Sequence, residues 1–224
     1  TSCAVPRAKG LSFLTCSVSV RDAPAIVPRI ESLINEYDWT CIVATQDMHP
    51  SDHVSFASVH GREPFQTHRV PHPYDPSASI DQMMWPDHCV AGTRGSQMHA
   101  RIQAALDARC TSGVPVHYVH KGTDKRIDSY SGFACTNYVQ FTELASILHR
   151  AREPISTVVV CGLATDYCVC HTAVDAAKFG FRTLVLEDCV RGVDASSTAH
   201  AYKVMQQYQV AVVPVCTSWK LYIS

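Results

Sequence analysis

The segment from Thr157 to Gly180 constrains the fold most, because a strand pattern, a turn and a helix pattern follow one another directly. Residues 157–161 are Thr-Val-Val-Val-Cys, and so dense a run of β-branched and apolar residues is typical of a strand buried on both faces. Gly162 ends the run, and Thr165 or Asp166 is placed to cap the following helix. Strands buried on both faces occur in parallel sheets covered by helices, so the segment predicts an α/β fold.

The rest of the chain alternates between strand and helix patterns. Further strands are predicted at residues 41–45, 114–120, 183–186 and 210–215, and helices at residues 23–37, 96–108, 138–152, 169–180 and 196–208. This alternation predicts a three-layer α/β domain, in which a doubly wound, mostly parallel sheet carries helices on both faces. Residues 51–86 are rich in Pro, His and Ser, and we expect a long surface excursion there. No internal repeat divides the 224 residues, so a single domain over residues 1–224 is expected.

Charge and composition exclude several classes of partner. Nineteen Lys and Arg oppose twenty Asp and Glu without a basic cluster, so neither nucleic acid nor an anionic membrane is an expected partner. No apolar run is long enough to span a membrane and no signal-peptide pattern is visible, so we expect a cytoplasmic protein. The eleven cysteines show no CxxC pairs, which favours reduced thiols over a disulfide framework. A homo-oligomer is compatible with these patterns, which leave the oligomeric state open.

Cys168 is the candidate nucleophile. It falls in the first turn of the predicted helix, where unpaired backbone N–H groups and the positive end of the helix dipole favour a thiolate. A buried structural thiol is the alternative, since free cysteines commonly pack as small apolar side chains. The strand–turn–helix setting supports a nucleophilic Cys168 and a structural Cys168 equally.

Charged and metal-binding side chains follow two other predicted strands. Asp47 and His49 follow the first of them, and Lys121 follows the second. Because ligands bind beyond the carboxyl ends of the strands in such sheets, these residues are expected to lie near Cys168. A carboxylate with imidazoles suits a divalent transition metal, for which His88 offers a third ligand, and Lys121 would hold a thiolate or an oxyanion. On spacing alone, a solvated turn and a solvated lysine remain the alternatives.

Four short motifs occur together along the chain. They are Gly-Leu-Ala-Thr-Asp-Tyr-Cys-Val at residues 162–169, Thr-Gln-Asp-Met-His-Pro at 45–50, Trp-Pro-Asp-His-Cys-Val at 85–90, and His-Lys-Gly at 120–122 with Asp-Ser-Tyr-Ser-Gly-Phe at 128–133. In combination they resemble the nucleophile, metal-binding and lysine motifs of nicotinamidases, in the isochorismatase-like cysteine hydrolase superfamily. The resemblance runs from about Val18 to the C-terminus. Isochorismatases and carbamoylsarcosine amidohydrolases share the fold, but the metal triplet favours the nicotinamidase branch.

The resemblance implies a nicotinamide amidohydrolase that acts in NAD salvage. Cys168 would attack the carboxamide carbon, ammonia would leave, and water would hydrolyse the thioester to nicotinate. Lys121 is implied as the second catalytic residue, and the backbone N–H groups of Ala164 and Cys168 as the oxyanion hole. A cis peptide bond between Leu163 and Ala164 is implied as well.

The resemblance also implies one divalent metal ion, zinc or else iron or manganese. Asp47, His49 and His88 would hold it, and the metal would orient the pyridine ring of nicotinamide instead of generating the nucleophile. Four aromatic residues are candidates for the apolar walls around that ring: Phe13, Phe56, Trp85 and Tyr130. A position in the core is the alternative for each of them.

The N-terminal end departs from the family pattern. The family begins with an apolar strand that runs into Asp-x-Gln-x-Asp-Phe, whose first aspartate is the general base, whereas no aspartate precedes Asp22 here. We interpret Asp22 as a cap of the following helix. Part of the family pattern is absent between Lys9 and Phe13, and its loss would remove a central strand as well as the base.

This departure leaves two explanations open. Either the sequence is altered or incomplete at this end and the polypeptide has the strand, or residues 10–16 serve as a shortened version of it. We favour the first, because a sheet without its middle strand would expose two unpaired edges. A general base contributes on the order of 10²–10⁴-fold to a rate, so its absence keeps a catalytically impaired nicotinamide-binding homologue as an alternative. A metal-free amidohydrolase of the same superfamily is the second alternative function.

Overall fold

A six-stranded sheet lies at the centre of the structure. The computed structural model describes residues 8–15, 20–214 and 219, with the backbone alone described for residues 8–15. The strands are β1 (Ala8–Thr15), β2 (Cys41–Asp47), β3 (Thr67–Pro71), β4 (Ser79–Met83), β5 (Val116–Lys121), β6 (Ile155–Leu163), β7 (Arg182–Arg191) and β8 (Ala211–Val213). Their order in the main sheet is β5-β2-β1-β6-β7-β8, and every neighbouring pair is parallel.

Helices cover both faces of this sheet. They are α1 (Val27–Glu36), α2 (Ala57–His60), α3 (Ala100–Thr111), α4 (Leu144–His149), α5 (Cys170–Lys178) and α6 (Ala195–Gln207). One apolar core joins the sheet to α4, α5 and α6, and a second joins the opposite face to α1 and α3. None of the helices in the described ranges has both the length and the apolar character needed to cross a membrane.

Strand β6 shows why two cores form. Its valines are fully buried, and successive side chains point to opposite faces of a strand. Val158 and Val160 accordingly pack in the core beside α5, while Val159 and Cys161 pack in the core beside α1 and α3. The prediction of a three-layer, doubly wound α/β fold is confirmed.

The segment at residues 8–15 bears on the two explanations for the N-terminal departure. The chain has a central strand, because β1 lies in the middle of the sheet between β2 and β6. Phe13 pairs in register with Ala44 on one side and with Cys161 on the other. The sheet therefore does not require the favoured explanation, an altered or incomplete sequence, because residues 8–15 fill the central position.

Two local predictions differ from the structure in their extent. The helix predicted over residues 138–152 is reduced to α4, because Asn137 and Tyr138 adopt left-handed backbone angles and Thr142 pairs with the carbonyl of Phe133. The excursion at residues 51–86 is confirmed as a region outside the main sheet, although it contains α2 and the antiparallel pair β3–β4. Asp22 does occupy a helix-capping position, but its side chain makes no capping hydrogen bond.

The cysteines in the described part of the chain lie apart from one another in bonding terms, each with a free thiol. Eight of them lie there without forming a disulfide, and only Cys110 of these is exposed. Burial raises the pKa of Cys41 to about 11 and that of Cys189 to about 12, because the core disfavours a charged thiolate. In the folded protein these thiols therefore stay protonated well above the pH at which an unfolded chain would lose their protons.

We expect the free energy of unfolding to fall as the pH rises from 9 to 11. Over this range the unfolded chain releases thiol protons that the folded protein retains. Each buried thiol therefore lowers the free energy of unfolding by up to about 1.4 kcal/mol per pH unit. The stabilising effect of these thiols is fully present below pH 9. Urea titrations under reducing conditions at pH 7.5, 9 and 10.5 measure the trend. A free energy of unfolding that is flat or rising above pH 9 would contradict it.

Candidate active site

The ends of β2 and β5 place two opposite charges side by side. Asp47 and Lys121 are register partners at the carboxyl ends of these parallel strands, and both side chains are buried. The Lys121 ammonium donates to the Asp47 carboxylate and, at 2.7 Å, to the carbonyl oxygen of Ser129. Its Nζ atom lies 3.4 Å from Cys168 Sγ. The predicted convergence of a sulfur and an ammonium at this edge of the sheet is confirmed.

The turn after β6 presents the sulfur. The peptide bond between Leu163 and Ala164 is cis, as the resemblance implied, and residues Thr165–Val169 form a wide π-helical turn that leads into α5. The Ala164 carbonyl closes this turn by accepting from the N–H groups of Tyr167 and Val169. Neither Thr165 nor Asp166 caps the helix through its side chain, so that prediction is wrong.

The protonation states in the site follow from burial and from the neighbouring charges. Burial raises the pKa of Cys168 to about 12, and the Lys121 ammonium opposes this shift without cancelling it. Burial alone would lower the pKa of Lys121, but the Asp47 carboxylate and Cys168 raise it above its ordinary value. Burial therefore favours a protonated thiol beside the Lys121 ammonium, whereas the position in a helix turn favours a thiolate.

Three predicted metal ligands come together at the same edge. One ligand atom from each of Asp47, His49 and His88 lies within 4.8 Å of the others. The Nδ1 atom of His49 bonds to the Gly122 carbonyl oxygen at 2.8 Å, and that of His88 bonds to the Pro86 carbonyl oxygen at 2.8 Å. Because a carbonyl only accepts, each Nδ1 carries the proton and each Nε2 keeps its lone pair. Two imidazole Nε2 atoms and a carboxylate fit a divalent transition metal.

His53 and Asp128 form a second group with His49, and its hydrogen bonds argue against a metal. The backbone N–H of Ser55 donates to Nδ1 of His53 at 3.3 Å, so Nε2 carries the proton of this neutral imidazole. Burial lowers the pKa of His53 to about 4, which keeps it neutral. Its Nε2 is buried and carries this proton, so it cannot donate a lone pair to a cation.

Aromatic rings form one wall of the cavity above Cys168. Trp85 lies edge-on to Tyr167 with ring centroids 4.7 Å apart, and its Nε1–H donates to the Tyr130 hydroxyl at 3.1 Å. The cavity measures about 30 Å³, which has room for one or two water molecules. A ring-sized ligand is larger than this cavity, so its entry requires the wall to move, and Tyr130 and Tyr167 are the half-buried rings of that wall.

The predicted wall residues have different outcomes. Trp85 and Tyr130 line the cavity. Phe56 does not line it but packs edge-on behind the two imidazoles, with ring centroids 5.6 Å from His49 and 5.5 Å from His88. The side chain of Phe13 lies outside the described atoms.

Sequence reasoning missed four residues that line the cavity: Asp128, Ser129, Tyr167 and Val193. Asp128 and Tyr167 lie inside motifs that were recognised, so their proximity to Lys121 and Cys168 in the sequence was a usable signal. Val193 lies in the turn after β7 and has no local pattern that points to the site. Strand β1 has the sequence Ala-Lys-Gly-Leu-Ser-Phe-Leu-Thr, so it contributes no carboxylate, and Asp47 and Asp128 are the carboxylates among the described lining residues.

The fold and site define a class of cysteine hydrolase, and the comparison with protein families agrees. The model of the isochorismatase domain matches residues 13–217. The chain belongs to the isochorismatase domain family. Within it, the chain is 38% identical over 191 residues to the nicotinamidase of Acinetobacter baylyi, covering 84% of this chain and 80% of that protein. It is 40% identical over 176 residues to the nicotinamidase of Escherichia coli, covering 75% and 74%.

Solved structures show the same relationship. The yeast nicotinamidase bound to the inhibitor nicotinaldehyde superposes with a TM-score of 0.84 at 27% identity, covering 92% of this chain and 99% of that one. The pyrazinamidase of Pyrococcus horikoshii in complex with zinc superposes with a TM-score of 0.67 at 25% identity, covering 92% and 98%. The likeness therefore extends over nearly the whole length of both structures.

We expect Gly122→Ala to weaken binding of a divalent metal by about 10- to 100-fold, the range typical when a partner of a metal ligand is disturbed. A Cβ at Gly122 would lie 2.3 Å from Cε1 of His49, so this imidazole must move. Gly61→Ala is the matched control, since Gly61 has a similar φ of +58° and no atom within 4 Å of the added Cβ. Zinc titration with a competing chelator measures both variants. Equal zinc affinity in Gly122→Ala and the wild type would refute the expectation.

Proposed function

We propose that the protein is a nicotinamidase, which hydrolyses nicotinamide to nicotinate and ammonia in NAD salvage. The nicotinamidases of two bacteria at 38% and 40% identity support this activity. The observation that carries the proposal is that Cys168, Lys121 and the Asp47–His49–His88 group line one cavity. A nucleophile, a fixed cation and a set of metal ligands are the parts needed to hold a pyridine ring and to attack its carboxamide.

In the first step, Cys168 Sγ bonds to the carboxamide carbon and the carbonyl oxygen becomes an oxyanion. The thiol proton ends on the departing amine, which leaves as ammonia, and a thioester remains on Cys168. Water then adds to the thioester carbon and the bond to Sγ breaks, so that one proton of the water restores the Cys168 thiol and nicotinate leaves as the other proton passes to solvent. Lys121 keeps its proton throughout, and its fixed positive charge stabilises the thiolate as it forms.

The oxyanion is stabilised by the backbone of the turn that carries the sulfur. In this proposal the N–H groups of Ala164 and Cys168 donate to it, and in comparable sites each such donor is worth roughly 3 kcal/mol. Both residues line the cavity, as the role requires. Because backbone donors are fixed by the fold, they need no reorganisation when the charge develops.

Asp47, His49 and His88 hold one divalent metal ion in this proposal. When bound, the metal supplies a Lewis acid to which the ring nitrogen of nicotinamide coordinates. Zinc is the proposed ion, with iron and manganese as alternatives, because the Pyrococcus horikoshii pyrazinamidase has zinc in its structure. Trp85, Tyr130 and Tyr167 provide the apolar wall that the ring contacts.

The whole chain, residues 1–224, forms one hydrolase domain in this proposal. Reduced, buried cysteines are typical of a reducing compartment, which supports a cytoplasmic location. The proposed substrate is a small amide, so no macromolecular partner is needed for the reaction.

We expect Cys168→Ala to reduce the release of ammonia from nicotinamide by at least about 10⁴-fold, because the variant has no nucleophile. Cys170→Ala is the control, since Cys170 is a buried thiol two residues further on whose sulfur contacts the carbonyl of Ala201, away from the cavity. A coupled ammonia assay compares the variants with the wild type. Tight binding of nicotinamide by the wild type without ammonia release would identify an impaired homologue, the alternative that a β1 strand without a carboxylate keeps open.

Removal of divalent metal is expected to lower kcat/KM for nicotinamide by at least about 10-fold, because the ring is then no longer held by its nitrogen. Dialysis against a chelator followed by addition of zinc measures the loss and its recovery. Benzamide lacks a ring nitrogen, so its slow hydrolysis should change little on the same treatment. Full activity on nicotinamide in protein with no metal would instead establish a metal-free amidohydrolase.

A further inference from the structure

We propose that Asp166 is a positioning residue for the reaction, which fastens the turn that carries Cys168 to the start of α6. Asp166 lies two residues before Cys168 in the π-helical turn. Its side chain makes no helix cap but reaches across to the segment between β7 and α6. The proposal rests on the proposed function for its effect on turnover, although its structural part can be tested without turnover.

Two backbone donors from that segment and one hydroxyl from the first turn of α6 converge on the Asp166 carboxylate. The backbone N–H of Val193 donates to Oδ1 at 3.0 Å, and that of Asp194 donates to Oδ2 at 3.1 Å. The hydroxyl of Ser197 donates to Oδ2 at 2.6 Å. An ionised carboxylate is the side chain of this size that only accepts hydrogen bonds. An asparagine would turn an NH₂ group toward one or more of these donors and leave them unpaired.

The segment that Asp166 holds is itself closely packed. At Gly192 an added Cβ would lie 1.8 Å from the hydroxyl oxygen of Thr198 and 3.3 Å from Oδ1 of Asp166, so the backbone passes directly against both side chains. Val193, the next residue, lines the catalytic cavity together with Ala164 and Cys168. The hydrogen bonds of Asp166 therefore fix one wall of the cavity relative to the sulfur.

Loss of the Asp166 hydrogen bonds would change the geometry of the turn at Cys168 more than the affinity for the substrate. The proposed oxyanion donors, Ala164 and Cys168, lie on either side of Asp166 in the same turn. A turn released from α6 would move these N–H groups away from the position of the oxyanion, and such small displacements cost up to about 100-fold in rate. Asp47 ends β2, His49 follows it, and His88 lies in the segment after β4, so none of the proposed metal ligands lies in this turn.

The test compares Asp166→Asn with the wild type in turnover and in two measurements that need none. We expect kcat for nicotinamide to fall by about 10- to 100-fold while KM changes less than about threefold, because the lost contacts act on the transition state. Zinc affinity should stay within about twofold, since the metal ligands are elsewhere. Affinity for nicotinaldehyde should fall by a factor similar to that of kcat. The carbonyl carbon of nicotinaldehyde bonds to Sγ and the thiol proton passes to the carbonyl oxygen. Because this oxygen occupies the oxyanion position, displaced N–H groups weaken the adduct.

Asp194→Asn is the matched control. The Asp194 side chain caps α6 by accepting from the N–H groups of Ser196 and Ser197, but it does not contact Asp166 through its carboxylate. This variant should lower the melting temperature and leave kcat within about twofold of the wild type. Ser197→Ala removes one of the three donors and should produce a smaller loss of kcat than Asp166→Asn.

Two results would overturn the proposal. One is an Asp166→Asn protein with unchanged kcat and unchanged nicotinaldehyde affinity. The other is an equal loss in Asp166→Asn and Asp194→Asn together with loss of zinc, which would indicate general destabilisation. If the wild type bound nicotinaldehyde but released no ammonia, the nicotinamidase proposal would fail, while the aldehyde affinities would still decide the role of Asp166.

Discussion

The buried ion pair between Lys121 and Asp47 is the interaction on which the rest of the site depends. Their side chains are 1% and 4% exposed, and an unpaired charge so buried would cost several kcal/mol. Each charge compensates the other, while each also has a second neighbour. Lys121 reaches Cys168, and Asp47 faces the imidazoles of His49 and His88. One ion pair thus joins the thiol side of the cavity to the metal side.

The parallel sheet makes this pair possible, and the sequence predicted that both residues lie near Cys168 but not that they form an ion pair. Buried strands with a high content of β-branched residues identified β2, β5 and β6, and the rule that ligands bind beyond their carboxyl ends placed Asp47, Lys121 and Cys168 together. The strand register then places the two side chains next to each other, because Asp47 and Lys121 are direct partners across neighbouring strands. Strand patterns predict sites of this kind well, since the residues that follow buried strands in a parallel sheet share one edge.

Other features follow from tertiary contacts that no local pattern contains. Strand β1 has Gly10 and Ser12 near its middle and few β-branched residues, yet it pairs on both sides because β2 and β6 would otherwise expose their edges. Asp166 was expected to cap its own helix, but the donors it binds lie 27 to 31 residues further along the chain. Contacts at that separation depend on how β7 and α6 pack, which the sequence of the turn does not encode.

The central claim is that Cys168 forms a covalent bond with the carboxamide carbon of nicotinamide. Rapid acid quenching of the protein with excess nicotinamide, followed by proteolysis and mass spectrometry, tests this claim most directly. The account predicts a nicotinoyl group on the peptide that contains Cys168, and its absence in protein whose Cys168 has been alkylated beforehand. Release of nicotinate with no acyl group on Cys168 at any quench time, or an acyl group on another residue, would contradict it.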